Sequence, residues 1–446
     1  MHRILRKISV FLRCAAFFIL PFFVIQAANA FLLRTDAHSY YTFEELTQRD
    51  DVELAIVGSS VVFANFNGEL ITEKTGLETY SVTANHMSLP GALAASRLMY
   101  QTNQPDHVVL VVEGDTIFGG GEDIQTQMRL APFLVKHPLI SLRYYLDSVA
   151  HDQAFIDRIL LFKYFFARSL GDVQYSYNLR FHTDEFFSQT GLVGGGMQYR
   201  GRGFLRNTGD GDGHAVMRNS GIRPYHSDHT PVLSAYTKRK LLEYRDLCEK
   251  NGSKLLVIIS PNLTAHALRR NTYLEQNTIF RDYCLEQGIP CYDFSMARHS
   301  FVPVLDAYYY DLFHMCGTGA DLFSEKFAEF FNLYAAGKPV DHLFYSSADE
   351  YLDAIDFITN VWVDQDTQDD MTLFTAECMR GRTVNPEYRF SLLLEDGSLQ
   401  VLQDYSSSNV FTCPTGSLSG KTLRVNAIPA GKTNADHIFY DIQLSY

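Results

Sequence analysis

Apolar residues fall along this chain in two rhythms, and the alternation between them sets out a fold. Val52 to Val57 is an almost unbroken apolar run that stops at Gly58-Ser59-Ser60. Val108 to Val112, Lys254 to Ser260 and Ile289 to Phe294 are runs of the same kind, and Tyr80 to Thr83 reads as a short strand after the first. Unbroken runs of this length, bounded by turn residues, are strands buried on both faces. Between them the apolar spacing is helical. Pro90 to Tyr100 places Ala92, Ala95, Leu98 and Met99 on one side. Pro231 to Asn251 does so with Leu241, Leu242, Tyr244 and Leu247, and Asn271 to Gln287 ends at Gly288. Ala320 to Tyr334 carries Leu322, Phe323, Phe327, Phe330 and Phe331, while residues 60–77 read as helix or loop. Strand, helix, strand at this spacing predicts an α/β fold, a parallel sheet with right-handed crossovers and helices on both faces.

Two stretches interrupt the pattern. Leu130 to Leu170 is dense in Phe, Tyr, Leu and Ile at helical spacing, which predicts a packed helical subdomain rather than a cofactor box. Gly191 to Phe204 is rich in glycine but lacks a phosphate-loop frame between strand and helix. It is expected to form a loop over the site, with Arg200 and Arg202 either solvated or set against an anionic polymer. After Gly337 the rhythm shortens to six β-like runs: Phe357–Val363, Met371–Ala376, Tyr388–Leu394, Ser398–Leu402, Thr422–Ile428 and His437–Leu444. These predict a C-terminal β-sandwich. Its one tryptophan, Trp362, reads as a core aromatic or, with Tyr388 and Tyr405, as a sugar platform. The expected organisation is residues 1–34 as an export segment, 35–337 as the α/β domain with an insertion at about 120–232, and 338–446 as the sandwich.

The export segment opens with His2, Arg3, Arg6, Lys7 and Arg13, and Cys14 to Leu33 is then almost wholly apolar. Basic residues before an apolar span predict a cytoplasmic amino terminus and export of the chain beyond the span. The span is long enough for an uncleaved membrane anchor, and Ala28-Asn29-Ala30 also fits a signal-peptide cleavage site that would leave a secreted protein. Both readings put the body of the chain outside the cytoplasm.

Composition narrows the chemistry. Of 446 residues 46% are hydrophobic and 20% charged, as in ordinary globular cores, and the formal net charge of −13 argues against nucleic-acid binding. None of the seven cysteines forms a CxxC pair, so no structural zinc knuckle is expected. No cofactor or metal is called for. Cys378 and Cys413 read either as an exported disulfide or as free buried thiols.

The candidate chemistry lies at two distant points. Ser60 follows the end of the first strand, and open α/β sheets gather their sites at that carboxyl edge. Asp311-Leu-Phe-His314 lies in the turn before the last helix of the domain. A carboxylate three residues before a histidine can accept its Nδ1–H, orient the ring and leave Nε2 to take a serine proton. The alternatives are ordinary ones: Ser60 as a helix cap and His314 as a hydrogen-bonded structural residue.

Taken together, residues 50–335 resemble the SGNH (GDSL-like) hydrolase superfamily, with Gly58-Ser59-Ser60 similar to its first block and Asp311-Leu-Phe-His314 to its last. The resemblance implies a flavodoxin-like parallel sheet, with Ser60 as nucleophile, His314 as base and Asp311 as orienting acid. The chain departs from that pattern at three places. Position 59 is Ser where the hydrolases carry Asp, Thr83 to His86 stands at the second-block glycine, and Glu113-Gly114-Asp115 lacks the third-block Asn. The oxyanion donors are then expected to be the backbone N–H of Ser60 and neighbouring amides, with Ser59, Asn85, Asp115 and Asn262 as candidate oxyanion or substrate contacts. The form is most similar to cell-envelope members such as the lipoteichoic acid D-alanyl transfer protein and polysaccharide O-acetyltransferases. This implies O-acyl transfer or esterolysis on an envelope glycan, with a membrane-bound O-acyltransferase as partner. The alternative is a non-catalytic scaffold that binds the glycan or the acyltransferase through a degenerate copy of the fold.

Overall fold

The computed structural model describes residues 37–119, 124–151, 169–182, 196–209, 211–432 and 438–444, together with 13, 17 and the helix α1 (20–28) near the amino terminus. Five strands form one wholly parallel sheet: β1 (Leu54–Gly58), β2 (Thr79–Thr83), β3 (His107–Val112), β6 (Lys254–Ile259) and β7 (Cys291–Asp293). Their order is β2-β1-β3-β6-β7. Successive side chains of a strand point to opposite faces, and the two faces feed separate cores. Ala55, Val57, Leu110 and Val257 pack against α2 (Ala37–Gln48), α5 (Leu89–Met99) and the helices Ala235–Lys250 and Tyr273–Glu286. Leu54, Ile56, Val109, Val111 and Ile258 pack against α3 (Ser60–Asn65), α4 (Gly68–Thr75) and the long helix Gly317–Ala335. Burial on both faces is why these strands carry unbroken apolar runs.

The stretch 60–77 thus resolves into two short helices, and Asn67 caps the second by accepting the Leu70 N–H. β7 is shorter than the apolar run suggests, because the Asp293 side chain accepts the Ser295 N–H and turns the chain into a single 3-10 turn.

After α6 (Gly114–Gly119) the insertion contributes α7 (Ile124–Leu134), α8 (Pro138–His151) and α9 (Leu170–Phe181); residues 152–168 of the expected helical subdomain lie outside the described residues. The glycine-rich stretch differs from its expectation. Residues 191–195 lie outside the described residues, but the remainder forms a hairpin of β4 (Met197–Tyr199) and β5 (Leu205–Asn207) clamped to the edge of β2. The Ser81 N–H donates to the Arg202 carbonyl at 2.9 Å. A side chain at Gly203 (φ +72°) would meet the Ser81 carbonyl oxygen at 2.0 Å. Glycine is there so that two backbones can touch. Arg202 donates to Glu78 and to the Thr79 carbonyl, so it braces the edge instead of facing a polymer.

Beyond Gly337 lie a four-stranded antiparallel sheet and a three-stranded one. The first comprises β10 (Pro386–Leu393), β11 (Leu399–Ser406), β13 (Thr422–Pro429) and β14 (Phe439–Gln443). The second comprises β8 (Ile358–Gln368), β9 (Met371–Arg380) and β12 (Val410–Pro414). One apolar cluster holds both, with Val361, Val363 and Phe374 on one side and Phe390, Leu423 and Val425 on the other. Cys378 and Cys413 are both free thiols, and the Tyr388 hydroxyl lies 3.3 Å from the Cys378 sulfur. Among the described residues no helix is long and apolar enough to cross a membrane.

Candidate active site

The chain leaves β1 to one side for β2 and returns past it to β3, so the carboxyl ends of β1 and β3 flank a topological switch point. Ligand sites of open α/β sheets form at such a crevice. Ser59 stands in it and is held from both neighbouring strands. Its hydroxyl donates to Glu113 Oε2 at 2.9 Å, beyond the end of β3, and its carbonyl accepts the hydroxyl of Thr83 at the end of β2 at 2.7 Å. Gly58 is needed for the turn to sit this close. A Cβ there would lie 2.6 Å from Val62 Cγ2 and 2.7 Å from the Val111 carbonyl oxygen. The Ser59 hydroxyl was an expected oxyanion or substrate contact. It is buried and committed to Glu113, so its task is to brace the turn.

Ser60 is the first residue of α3 and half-buried. The helix is short but carries most of the site. Phe63, one turn on from Ser60, stacks on the His314 ring with centroids 6.0 Å apart and planes at 5°. Asn65, wholly buried at the other end, accepts the Met315 N–H at 3.0 Å and donates to the Phe313 carbonyl at 3.5 Å. One side chain thus holds the backbone on both sides of His314. From the opposite side Tyr310 stacks on the imidazole at 5.8 Å, and the Tyr310 N–H donates to the His314 carbonyl at 3.0 Å. His266 Nε2 lies 3.1 Å from the Leu312 carbonyl, and its ring packs on Phe313. The β4–β5 hairpin closes this flank, where Arg206 pairs with Asp321 at 2.8 Å on the helix that follows the turn.

Within the turn, Asp311 Oδ2 lies 2.7 Å from His314 Nδ1, while Oδ1 accepts the N–H groups of Phe313 and His314 at 2.8 Å each. Burial works to raise the Asp311 carboxyl. The hydrogen bond and charge of His314, with the two backbone N–H groups, outweigh it and hold the carboxyl below its ordinary value. With Nδ1 engaged by a carboxylate acceptor, the proton of the neutral ring belongs on Nδ1 and Nε2 is left as a base. His314 Nε2 is buried and, among the described residues, has no hydrogen-bond partner. Among the described residues no hydrogen bond joins it to Ser60 Oγ, as is common before substrate tightens such contacts.

The structure joins Asp311 to His314, and the short helix that Ser60 begins packs on the His314 ring through Phe63, one turn from Ser60. Asn85 lies in the turn after β2, half-buried and two residues beyond Thr83 on the same edge. Asp115 is in α6, and its side chain lies outside the described residues. Asn262 is not brought to this point. It follows β6, two strands from β1 and so about 10 Å across the sheet. Its amide donates to the Tyr273 hydroxyl at 2.7 Å and its Oδ1 is buried without a partner, in a separate small cavity with Asp306 and Tyr351. The residues missed from sequence are Phe63, Asn65, Glu113, Thr83 and Tyr310. Only Glu113, at the end of an apolar run, carried a local signal. Among the described residues no three His, Cys, Asp or Glu side chains converge as a metal site requires.

No protein-family model matches the chain, and no curated protein does. Among solved structures, a Bacteroides fragilis protein with the provisional description acylhydrolase is similar over 66% of this chain and 95% of its own, at 11% identity and a TM-score of 0.31. That likeness is too slight to carry an argument. The site is read from its own geometry.

Proposed function

We propose that this protein is a serine acyl-transferring enzyme in which Ser60 is the nucleophile, His314 the base and Asp311 the group that orients it. One observation carries the reading: His314 is fixed through Nδ1 by Asp311 and presents a buried, unpartnered Nε2 against the helix that Ser60 begins. A ring held through Nδ1 by a carboxylate with Nε2 left unspent is the arrangement a general base requires.

In the proposed cycle, Ser60 Oγ attacks an ester carbonyl carbon as its proton passes to Nε2. The imidazolium that forms is stabilised by the Asp311 carboxylate. The negative carbonyl oxygen is met by backbone N–H groups at the start of α3, where the first amides have no intrahelical acceptor. His314 then gives its proton to the departing alkoxide as the C–O bond breaks, leaving an acyl-serine. A second hydroxyl, from water or from a sugar, loses its proton to Nε2 and attacks the acyl-enzyme, and the imidazolium gives that proton to Ser60 Oγ as the acyl–Oγ bond breaks. The resemblance to SGNH hydrolases supports an O-acyl group, and its cell-envelope branch supports an extracytoplasmic glycan as acceptor or substrate, with a membrane-bound O-acyltransferase as the donor's source.

The test is a fluorophosphonate probe with p-nitrophenyl acetate. Folded wild-type chain is expected to label and turn over, and Ser60→Ala to do neither while keeping the wild-type melting curve. Folded wild type that does not label sinks the proposal and leaves the scaffold reading in its place.

A further inference from the structure

A small cavity sits in the crevice between the carboxyl ends of β1 and β3. It measures about 20 Å³, enough for a single group the size of a water or a methyl. Gly58, Ser59 and Glu113 line it where the two strands end, and Met87, Leu89, Ala92, Leu110, Val112 and Ile117 line most of the remainder. The hydroxyls among its walls are committed elsewhere. Ser59 donates to Glu113, and Ser88 caps α5 by accepting the Gly91 N–H at 3.2 Å. An occupant is therefore offered a mainly apolar surface.

The cavity lies on the side of the sheet that Ser60 shares. Helix α3 divides its residues between the two cores. Val61 and Val62 join the one with Leu54 and Ile56, and Phe63 and Ala64 join the one with Ala55 and Val57. Ser60 stands three residues before Phe63 and four before Ala64, so it is on their side of the helix. Met87, Ala92, Leu110, Val112 and Ile117 belong to that same core, and Leu89 packs against it. An acyl group on Ser60 Oγ thus begins one residue from the cavity wall, on the matching face. The walls leave it little room to grow. Met87 is wedged against α5, where a Cβ at Gly91 would already stand 3.2 Å from Met87 Cγ and 2.4 Å from Thr126 Cγ2. The Thr126 hydroxyl in turn donates to the His86 carbonyl and pins the turn that carries Met87.

We infer that this cavity receives the methyl of an acetyl group carried by Ser60, and that Met87, Leu89 and Ile117 set the limit on acyl length. The inference rests on the proposed role of Ser60 and names the acyl group which that role leaves open. In the acyl-enzyme the carbonyl carbon is bonded to Oγ, its oxygen faces the amides at the start of α3, and one substituent remains to be housed. A methyl fits the cavity and buries apolar surface there. A fatty chain overfills it, and an aminoacyl group brings an ammonium that an apolar wall cannot solvate.

The test gives full-length protein p-nitrophenyl acetate and p-nitrophenyl butyrate, with each rate divided by that of the ester's spontaneous hydrolysis. Butyrate carries two more methylenes than acetate. Each extra methylene in a filled apolar pocket is worth about 10- to 200-fold, so kcat/KM for butyrate is expected to fall at least about tenfold below acetate. Leu89→Ala opens the wall at a partly exposed position in the first turn of α5, where alanine is a good helix former. It is expected to raise the butyrate-to-acetate ratio by about tenfold or more, and Met87→Ala to do the same. The ratio is taken within one protein, so a variant that folds less well does not mimic the effect. Wild type that handles the two esters within tenfold of each other overturns the inference. A preference for acetate that neither variant relaxes also overturns it, because other residues then set the limit. Fluorophosphonate labelling of the same samples separates the two levels. Labelled protein without a preference for acetate sinks this inference alone. Folded protein that neither labels nor hydrolyses acetate sinks the assignment of Ser60 and this inference with it.

Discussion

Asp311→Asn tests the role of the base with the least disturbance to the fold. The carboxylate makes three hydrogen bonds: Oδ1 takes two backbone N–H groups at 2.8 Å and Oδ2 the imidazole Nδ1 at 2.7 Å. An asparagine has one oxygen, and the turn decides where it goes. If the oxygen stays on the two backbone amides, the NH2 faces Nδ1. That nitrogen must then accept, its proton moves to Nε2, and the ring can no longer take a proton from Ser60. Turning the amide over restores the tautomer but sets NH2 against two N–H donors. This loses two hydrogen bonds of about 1 kcal/mol each and leaves the donors poorly satisfied, about 2–3 kcal/mol in all. A penalty of that size leaves a competent population of about 1–3%, since 1.4 kcal/mol is a factor of ten. The expected fall in fluorophosphonate labelling and ester turnover is therefore between about 10²- and 10⁴-fold, the upper figure being the loss in a serine protease with the equivalent change. The urea midpoint should move little, because the turn keeps its two backbone hydrogen bonds. Rates for Asp311→Asn within about threefold of wild type, beside an inert Ser60→Ala, would show that Asp311 does not set the tautomer of the base, and the proposed relay would be wrong.

Other consequences test the scaffold around the site. Asn65→Leu keeps the side-chain volume but strands the buried Met315 N–H, so it is expected to cost about 1–3 kcal/mol in urea unfolding and, by loosening the His314 turn, to lower the labelling rate by more than it changes probe affinity. Gly58→Ala puts a methyl group 2.6 Å from Val62 Cγ2 and 2.7 Å from a backbone oxygen that cannot retreat without breaking β3, and a loss of about 1–3 kcal/mol or more should appear in the thermal melt. Asp306 is buried, among the described residues its carboxylate is hydrogen-bonded only by Thr264, and burial pushes that carboxyl up to about 6. The folded chain therefore holds this proton where the unfolded chain has lost it, so the stability it contributes is full below about pH 4, falls as pH rises towards about 6, and amounts to about 3 kcal/mol at most. Asp306→Asn should flatten that slope in urea titrations between pH 4 and 7, and an unchanged slope would mean that Asp306 is ionised in the fold.

The parallel sheet was legible because each strand is buried on both faces and so shows an unbroken apolar run. Ser60, Asp311 and His314 were legible because each sits where such a run ends or a helix begins. The features that could not be read depend on distance along the chain. Asn65 holds Met315 across 250 residues, and nothing around Asn65 marks it as more than a polar residue in a short helix. The β4–β5 hairpin reads as a loop because three-residue strands set among glycines show no alternation. β12 escapes for a similar reason: Val410–Pro414 is short, contains a proline and lies at a sheet edge. Ser59 shows a different limit. Its position is legible, but its hydroxyl was expected to serve substrate, and only the nearness of Glu113, 54 residues on, shows that it braces the turn.

The same dependence on distance changes what the C-terminal sheets are for. Trp362 on β8 reads from sequence as a core aromatic or a sugar platform. It is buried, and the apolar cluster it joins is that of the parallel sheet: Met217, Ile222, Leu305, Tyr309 and Met315, the last adjoining His314. Polar contacts run along the same seam. Asn360 donates to the Ile222 carbonyl at 2.9 Å, and Arg223 pairs with Asp364 at 2.6 Å while its guanidinium lies over the Trp362 ring. The chain just before this seam presses on the approach to the turn that carries Asp311 and His314, since Cβ atoms at Gly211 and Gly213 would collide with the backbone of Tyr308 and Asp306. The C-terminal sheets thus complete the packing beneath the loop that delivers Asp311 and His314. Deleting them would expose Met217, Ile222 and Leu305 and loosen the base, whatever the substrate. Loss of activity on truncation therefore carries no information about glycan recognition. A role in recognition has to be sought on the outer faces of those sheets, with substitutions that leave Trp362 and Asn360 in place.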